Sequence, residues 1–370
     1  MRNRILTLAA LTAAPLAAQF SGLVTTGNGA ELYFSSQLAL GRESGQPQQG
    51  RIYRVGSKPV RLVAEVAKVV PSPSCGLLVC ATNAYNLFQP DVSRDGEVLA
   101  YIGAGDCVSA LGTCDRADVH QTTVRMQAGQ STVMFNGQGW LSGTGQYLVY
   151  YQLVGLFSRT EFYRVDLRTG DKSFITAVVG TSIQWPGNGR VVADSGDFVF
   201  ASEGQVNVLR SGRLIAVARP QNNAYAANAV IDGAGDTVLY QSWTCCSPSA
   251  VRIFHPDTGD DAVLFAGNGY SYEPVMSADG KRVAFLSTTR FGTAAPPGPS
   301  QVYLSDIEGA SPLALTADPD GIAGFTLSDD GQTIWYLNRH GAIYQLNTAT
   351  GQAEEKVPWT LLQRPPAPRR

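Results

Sequence analysis

The chain has 370 residues, with 28 Lys and Arg against 30 Asp and Glu, for a formal net charge of -2. That balance excludes the extended basic surface that nucleic-acid binding needs. A hydrophobic fraction of 44% is ample for a large core, and 39 Gly with 20 Pro suit a chain of many tight turns.

Residues 1–18 read as a secretory signal. Arg2 and Arg4 supply the positive start, Ile5–Leu16 is an apolar run, and Ala17-Ala18 offer a small-residue cleavage site before Gln19. The other reading is an uncleaved anchor, for which the run is short. No later segment is apolar enough to cross a membrane. The mature chain is expected to be periplasmic or secreted, in an oxidising compartment.

From Phe20 onward a pattern recurs. Gly29, Gly96, Gly145, Gly196, Gly235, Gly280 and Gly331 each precede an apolar strand that carries an aromatic residue: Tyr33-Phe34, Tyr101, Tyr150, Phe200, Tyr240, Phe285 and Tyr336. A second set, Gly56, Gly129, Gly170, Gly212, Gly259, Gly309 and Gly351, falls between two further strands of each unit. Each unit is therefore two hairpins, or four strands, and there are seven units. One meander cannot bury both its faces, so the units are expected to ring an axis and cover one another. The predicted fold is all-β, a seven-bladed β-propeller of four-stranded antiparallel blades, occupying residues 19–362 as one domain. Both end units look complete, so ring closure is expected from side-chain packing, or from Val357–Leu362 pairing near the start. Residues 363–370 are a Pro-rich basic tail, read as a disordered end.

The inner turns of three units read Ser93-Arg-Asp-Gly96, Ser277-Ala-Asp-Gly280 and Ser328-Asp-Asp-Gly331. This Ser-x-Asp-Gly turn before an apolar strand resembles the TolB-like (WD40-like) propeller repeat. Pro90 and Pro274 keep part of that family's proline–tryptophan element, with Val92 and Met276 in the tryptophan slot. The resemblance implies either a non-catalytic periplasmic protein that binds other proteins or a propeller of the kind attached to peptidase domains.

Spacing between the glycine markers is uneven, longest from Gly56 to Gly96 and shortest from Gly196 to Gly212 or from Gly129 to Gly145. Because the marker turns stay tight, the variation must lie in the loops of the opposite face, where binding usually resides. Those loops hold the six cysteines. Local pairing gives Cys75–Cys80, Cys107–Cys114 and a vicinal Cys245–Cys246 ring. Free thiols at Cys245 and Cys246, or cross-pairing to Cys75 or Cys114, are the alternatives. Asn83, Tyr85, Asn86, Phe157, Trp185, Tyr225, Asn228, Trp243, Tyr270, Tyr272, Arg290 and Phe291 fall in or beside the same connections. They suit a protein or glycan partner, though several of the rings could equally pack between blades.

Catalytic signatures are sparse. There is no Gly-x-Ser-x-Gly elbow and no His-Glu-x-x-His helix. His255 and His340 read as structural and solvated. Asp115, Asp118 and His120 form a weak candidate for a divalent cation, and no cofactor is expected. The leading expectation is an exported, monomeric, non-catalytic module that presents a loop-rich, disulfide-shaped face to a protein or glycan. The alternative is a propeller enzyme, a hydrolase or lyase, using carboxylates such as Asp91, Asp106 or Glu273 at the mouth of the central channel.

Overall fold

The inner turn is the unit from which the fold is built. In Ser277-Ala278-Asp279-Gly280, the Ser277 hydroxyl donates to Asp279 Oδ1 (2.6 Å) and accepts from Arg282 N (2.9 Å), while Asp279 Oδ1 also accepts from Lys281 N (3.0 Å). Ser93/Asp95 and Ser328/Asp330 repeat every one of these contacts. In the first unit Thr26 and Asn28 take the same roles. The closing glycine sits at φ between 68 and 83° in all seven units, a region that L side chains rarely adopt. The motif therefore demands its serine, its carboxylate and its glycine for separate physical reasons.

A computed structural model describes residues 20–36, 40, 50–64, 81–109, 112–126, 132–154, 159–179, 183–184, 187–217, 224–244 and 247–358; for 20–21, 81–86, 104–109, 112–120 and 153 it describes the backbone alone. Among these residues there are seven four-stranded antiparallel sheets and no helix, so no helix is long and apolar enough to cross a membrane. Blade 1 is β1 (Phe20–Thr25), β2 (Leu32–Ser36), β3 (Arg51–Val55) and β4 (Arg61–Ala64). Blade 2 is β5 (Ala81–Val92), β6 (Val98–Ser109), β7 (Gly112–Met126) and β8 (Thr132–Asn136). Blade 3 is β9 (Gln138–Leu141), β10 (Tyr147–Val154), β11 (Arg159–Asp166) and β12 (Lys172–Val179). Blade 4 is β13 (Ile183–Gln184), β14 (Phe198–Ser202), β15 (Gln205–Arg210) and β16 (Arg213–Ala216). Blade 5 is β17 (Tyr225–Ile231), β18 (Val238–Trp243), β19 (Ala250–His255) and β20 (Asp260–Phe265). Blade 6 is β21 (Ser271–Met276), β22 (Arg282–Ser287), β23 (Gln301–Asp306) and β24 (Leu313–Ala314). Blade 7 is β25 (Ile322–Leu327), β26 (Thr333–Asn338), β27 (Ile343–Asn347) and β28 (Ala353–Val357). The seven-bladed propeller expected from the glycine markers is the fold.

Each sheet pairs its own four strands in chain order, with no strand exchanged between the ends among the described residues; of Val357–Leu362, Trp359 to Leu362 lie outside them. The ring closes instead through the second residue of each inner turn. Gly27 N donates to Arg94 O, Arg94 N to Gly143 O, Asp194 N to Gly233 O, Gly233 N to Ala278 O, Ala278 N to Asp329 O, and Asp330 N to Gly27 O, at 2.8 to 3.1 Å. Between blades 3 and 4 the corresponding link is Thr144 N to Asp194 Oδ1 (3.2 Å). This belt binds blade 7 back to blade 1, supported by Trp335 Nε1 and Gln345 Nε2, which both donate to Gly29 O. Leu23, Phe34, Trp335, Ile343 and Val357 are buried together across that seam. Full burial of each such side chain is worth about 1.5–3 kcal/mol.

One expectation about the loops is corrected. Cys107 and Cys114, placed in a loop by the sequence, lie in strands instead: β6 and β7 run on past the blade as an antiparallel ribbon, with Gly105 opposite Val119 and Asp106 opposite Asp118. Val119 and the threonines Thr122 and Thr123 are β-branched, which suits this extended pairing.

Candidate active site in the central channel

The innermost strands border the axis, but blade 4 departs from the pattern. Its inner strand β13 holds two residues, and the chain then swings inward through Gly187-Asn188-Gly189-Arg190. Asn188 Oδ1 accepts from Leu23 N of blade 1 (3.2 Å), and Asn188 O accepts from Thr326 Oγ1 of blade 7 (3.0 Å). Arg190 O accepts from Ile231 N of blade 5 (2.9 Å). A Cβ at Gly189 would lie 2.5 Å from Val230 Cγ1 and 3.2 Å from Val275 Cγ1, so this close approach to blades 5 and 6 requires glycine. Four residues of one blade thus reach across the axis to blades 1, 5, 6 and 7, and Arg190 adds blade 2.

Beside this crossing segment lies a network of five charges. Arg94, the second residue of its turn, donates from Nε to Asp329 Oδ2 and from Nη1 to Asp194 Oδ2, both at 2.6 Å. Cβ atoms at Gly143 and Gly233 would stand 2.6 and 2.8 Å from Arg94 Nη2, so these two glycines leave the space the guanidinium fills. Arg190 donates from Nε to Asp329 Oδ1 (2.9 Å) and from Nη1 to Val92 O (3.1 Å), with Asp91 Oδ1 at 3.7 Å. Burial works against the charge on Arg190, but Asp329 and Asp91 outweigh it and its pKa is raised. Asp91 Oδ2 accepts from Leu141 N (2.8 Å). Burial nonetheless pushes Asp91 up to about 6, against the pull of Arg190. This end of the channel, at the level of the inner turns, is filled and electrostatically paired.

Toward the loop end the inner strands carry a different device. Gly22, Gln89, Asn228 and Glu273 each lie five residues ahead of the inward turn residue of their blade (Gly27, Arg94, Gly233 and Ala278), and each has φ between 45 and 62°. All four sit in register shifts of β1, β5, β17 and β21. For a non-glycine residue this conformation costs on the order of 1–3 kcal/mol, and such strain clusters at functional sites. The three non-glycine side chains are all polar. Gln89 Oε1 is buried with no hydrogen-bond partner among the described residues. Asn228 Nδ2 donates to Gln241 Oε1 (2.8 Å). Glu273 has no ion partner among the described residues. Its side chain still meets solvent, yet protein surrounds it on nearly every side, as in the wall of a narrow channel. Burial alone pushes it up to about 7.

Besides Asn228, the candidate site residues whose side chains are described divide into four groups. Asp91 and Glu273 are both on innermost strands, at different levels of the channel. Tyr225 and Trp243 form one stacked pair, with centroids 5.9 Å apart, at the loop end of blade 5. Tyr270 and Arg290 are exposed near the loop end of blade 6. Tyr272 and Phe291 serve packing instead: Tyr272 lies against the blade 6–7 core, and Phe291 packs edge-on to Phe285 and Tyr303. Phe157, Trp185, Cys75, Cys80, Cys245 and Cys246 lie outside the described residues. Of Asn83, Tyr85, Asn86, Asp106, Cys107, Cys114, Asp115, Asp118 and His120 only the backbone is described, in β5, β6 and β7. No group of three or more His, Cys, Asp or Glu among the described residues is arranged to hold a metal ion. His255 contacts Asp236 O, and His340 pairs with Asp320 on the surface.

Sequence reasoning missed Arg94, Asp194, Asp329, Arg190 and Gln89. A signal was present: the second turn residue is Gly27, Gly143, Gly233 or Ala278 in four blades but Arg94, Asp194 or Asp329 in the other three. Charges of both signs at one repeated position, opposed by glycines, mark an inward-facing pair set.

No protein-family model matches the sequence, and no curated protein does. Solved structures do match. The β-propeller domain of the Trilobed protease from Pyrococcus furiosus, described as having an open velcro topology, is 12% identical, with a TM-score of 0.58 over 93% of this chain and 97% of that one. An oligogalacturonate lyase in complex with manganese is 14% identical, with a TM-score of 0.56 over 93% of this chain and 91% of that one. Pyrococcus horikoshii acylaminoacyl peptidase is 12% identical, with a TM-score of 0.56 over 92% of this chain and 52% of that one, so this chain spans about half of that enzyme. At such identities the likeness shows the fold, a β-propeller. It also corrects the leading expectation from sequence. These three structures, which share the fold along most of this chain, are enzymes or parts of enzymes, so the propeller by itself gives no ground for a non-catalytic module. The disulfide-shaped face that completed that expectation has no support, because no cysteine side chain is among the described residues.

Proposed function

We propose that this protein is a propeller enzyme of the hydrolase or lyase class, with its site at the loop end of the central channel and Glu273 as the group that moves the proton. The observation that carries the reading is Glu273 itself: a carboxyl with no ion partner among the described residues, on a strained bulge, beside an axis where Arg94, Arg190, Asp91, Asp194 and Asp329 are paired with one another. A carboxyl that titrates near 7 exchanges a proton at neutral pH without a large thermodynamic cost, which is what general acid–base work requires. Gln89 and Asn228 stand at the same level on blades 2 and 5 and supply donors and acceptors that would orient a substrate. The filled turn end leaves the loop end as the way in. Enzymes that share the fold, an oligogalacturonate lyase and peptidases among them, support the class by analogy.

The repeated Ser–Asp–Gly contacts support a TolB-like repeat as the origin of the blades. Arg2, Arg4 and the apolar run after them support export to the periplasm or medium as the setting, and the candidate substrates are glycan or protein. The test is a panel of uronide, neutral oligosaccharide and peptide substrates assayed with the wild-type chain and with Glu273→Gln. Turnover in one class that falls at least 100-fold in Glu273→Gln, with circular dichroism unchanged, is expected. No turnover across the panel, or equal turnover in the variant, would overturn the proposal.

A further inference from the structure

The innermost strand of blade 5 carries a graded set of groups from rim to channel. Tyr225, its first residue, is 50% exposed and stacks on Trp243 at an interplanar angle of 22°. It is also held from behind. The turn joining β14 to β15 places Gly204 where a Cβ would lie 2.7 Å from Tyr225 Cδ1, and Ala226 N donates to Gly204 O (2.9 Å). Glu203 and Gly204 both take positive φ to make this approach. A half-exposed ring fixed in this way is a preformed apolar plate, which gives up little freedom on binding. Three residues further along β17, about 10 Å at 3.3 Å per residue, lies Asn228. Its bond to Gln241 engages one N–H of Asn228 and the Gln241 carbonyl, leaving Asn228 Oδ1 and the Gln241 amide N–H groups to face a ligand. Beside it, at the same bulge position of the neighbouring blade, stands Glu273.

We infer that Tyr225 and Trp243 form a sugar-stacking subsite and that the ligand entering this channel is a neutral oligosaccharide. A pyranose ring offers an apolar C–H face to an aromatic plate and hydroxyls at its edge to amides. Plate and amides occur here in that order. Charge selects the neutral class. Every residue of β17 and β18 is uncharged, so no side chain of this wall can anchor a uronate or a peptide terminus. Beneath, the paired network sets three aspartates against two arginines, which disfavours a polyanion. The inference rests on the enzyme reading for the site's place in the molecule but not for its own proof.

The test is binding, read by intrinsic tryptophan fluorescence on the full chain. Cellohexaose, xylohexaose, hexagalacturonate and a proline-rich peptide are titrated into wild type, Tyr225→Ala, Trp243→Phe and Glu273→Gln. A neutral hexaose should saturate and shift the emission, with affinity at least 10-fold weaker in Tyr225→Ala, the shift lost in Trp243→Phe, and binding retained in Glu273→Gln. Tighter binding of hexagalacturonate or of the peptide, or equal affinity in wild type and Tyr225→Ala, would overturn it. Turnover separates this inference from the one it rests on. Saccharide binding without cleavage sinks the enzyme reading alone. Cleavage with an unchanged KM in Tyr225→Ala sinks the subsite alone. Because Tyr225 is half exposed, its alanine variant should fold, and circular dichroism checks that it does.

Discussion

The two ends of the channel are built from the same seven strands yet treat charge in opposite ways. At the turn end Arg94 and Arg190 are each held by carboxylates, and the Gly187–Arg190 segment fills the axis. At the loop end Glu273 has no cation among the described residues, and its backbone is strained at positive φ. Pairing makes the first end a closure that locks blades 2, 4 and 7 together. Isolation makes the second a place where a proton is easily given or taken. The difference comes from side chains at two repeated positions together with the inward detour of blade 4, which brings Arg190 into the network.

Arg190→Ala strikes the paired end hardest. It leaves Asp329 without one of its two arginines and Asp91 without the one cation it has among the described residues, and breaking a buried pair in this way costs about 3–5 kcal/mol. Urea denaturation should show a loss of that size. A loss under about 1 kcal/mol would mean that the network does not hold the blades.

Glu273→Gln sharpens the comparison from the unpaired end. The folded protein raises the Glu273 pKa from 4.5 to about 7, so the folded state binds more proton than the unfolded chain between those values. Stability owed to this group is present below pH 4.5 and is lost as pH rises to about 7. The gain of Glu273→Gln over wild type should therefore grow across that window by at most about 3 kcal/mol. Asp91 shifts in the same direction, up to about 6, but is common to both proteins and cancels. A difference that is flat with pH would show that Glu273 is solvated like any surface carboxylate.

Much of this architecture could be read in the sequence. The inner-turn glycines are required by φ, the Ser–Asp pairs by hydrogen bonding, and both follow from the local chain. Of the three carboxylates named for the channel mouth, Asp91 and Glu273 fall on innermost strands, whereas Asp106 falls on β6, the second strand of blade 2. What could not be read is what depends on distant blades. Arg94 meets Asp194 and Asp329 across large sequence separations, and nothing local to Gly187-Asn188-Gly189 announces that it leaves its blade. Phe291, expected on the binding face, packs on Phe285 and Tyr303, because a loop aromatic beside an apolar strand buries more area inward than outward.

Gly189→Ala makes a smaller test of the crossing segment. The added methyl would meet Val230 Cγ1 at 2.5 Å, and overpacking of this kind costs about 1–3 kcal/mol. Thermal denaturation should show it, while the same change at Gly212, with nothing within 4 Å, meets no clash and carries only the strain of its positive φ. Equal Tm losses at the two positions would count against an axis filled by blade 4.

The account depends most on the protonation of one side chain. Carbon-13 NMR of the Glu273 carboxyl, assigned by the signal that disappears in Glu273→Gln, follows it directly through a pH titration. A midpoint near 7 is predicted; a midpoint near the ordinary glutamate value of 4.5 would contradict it.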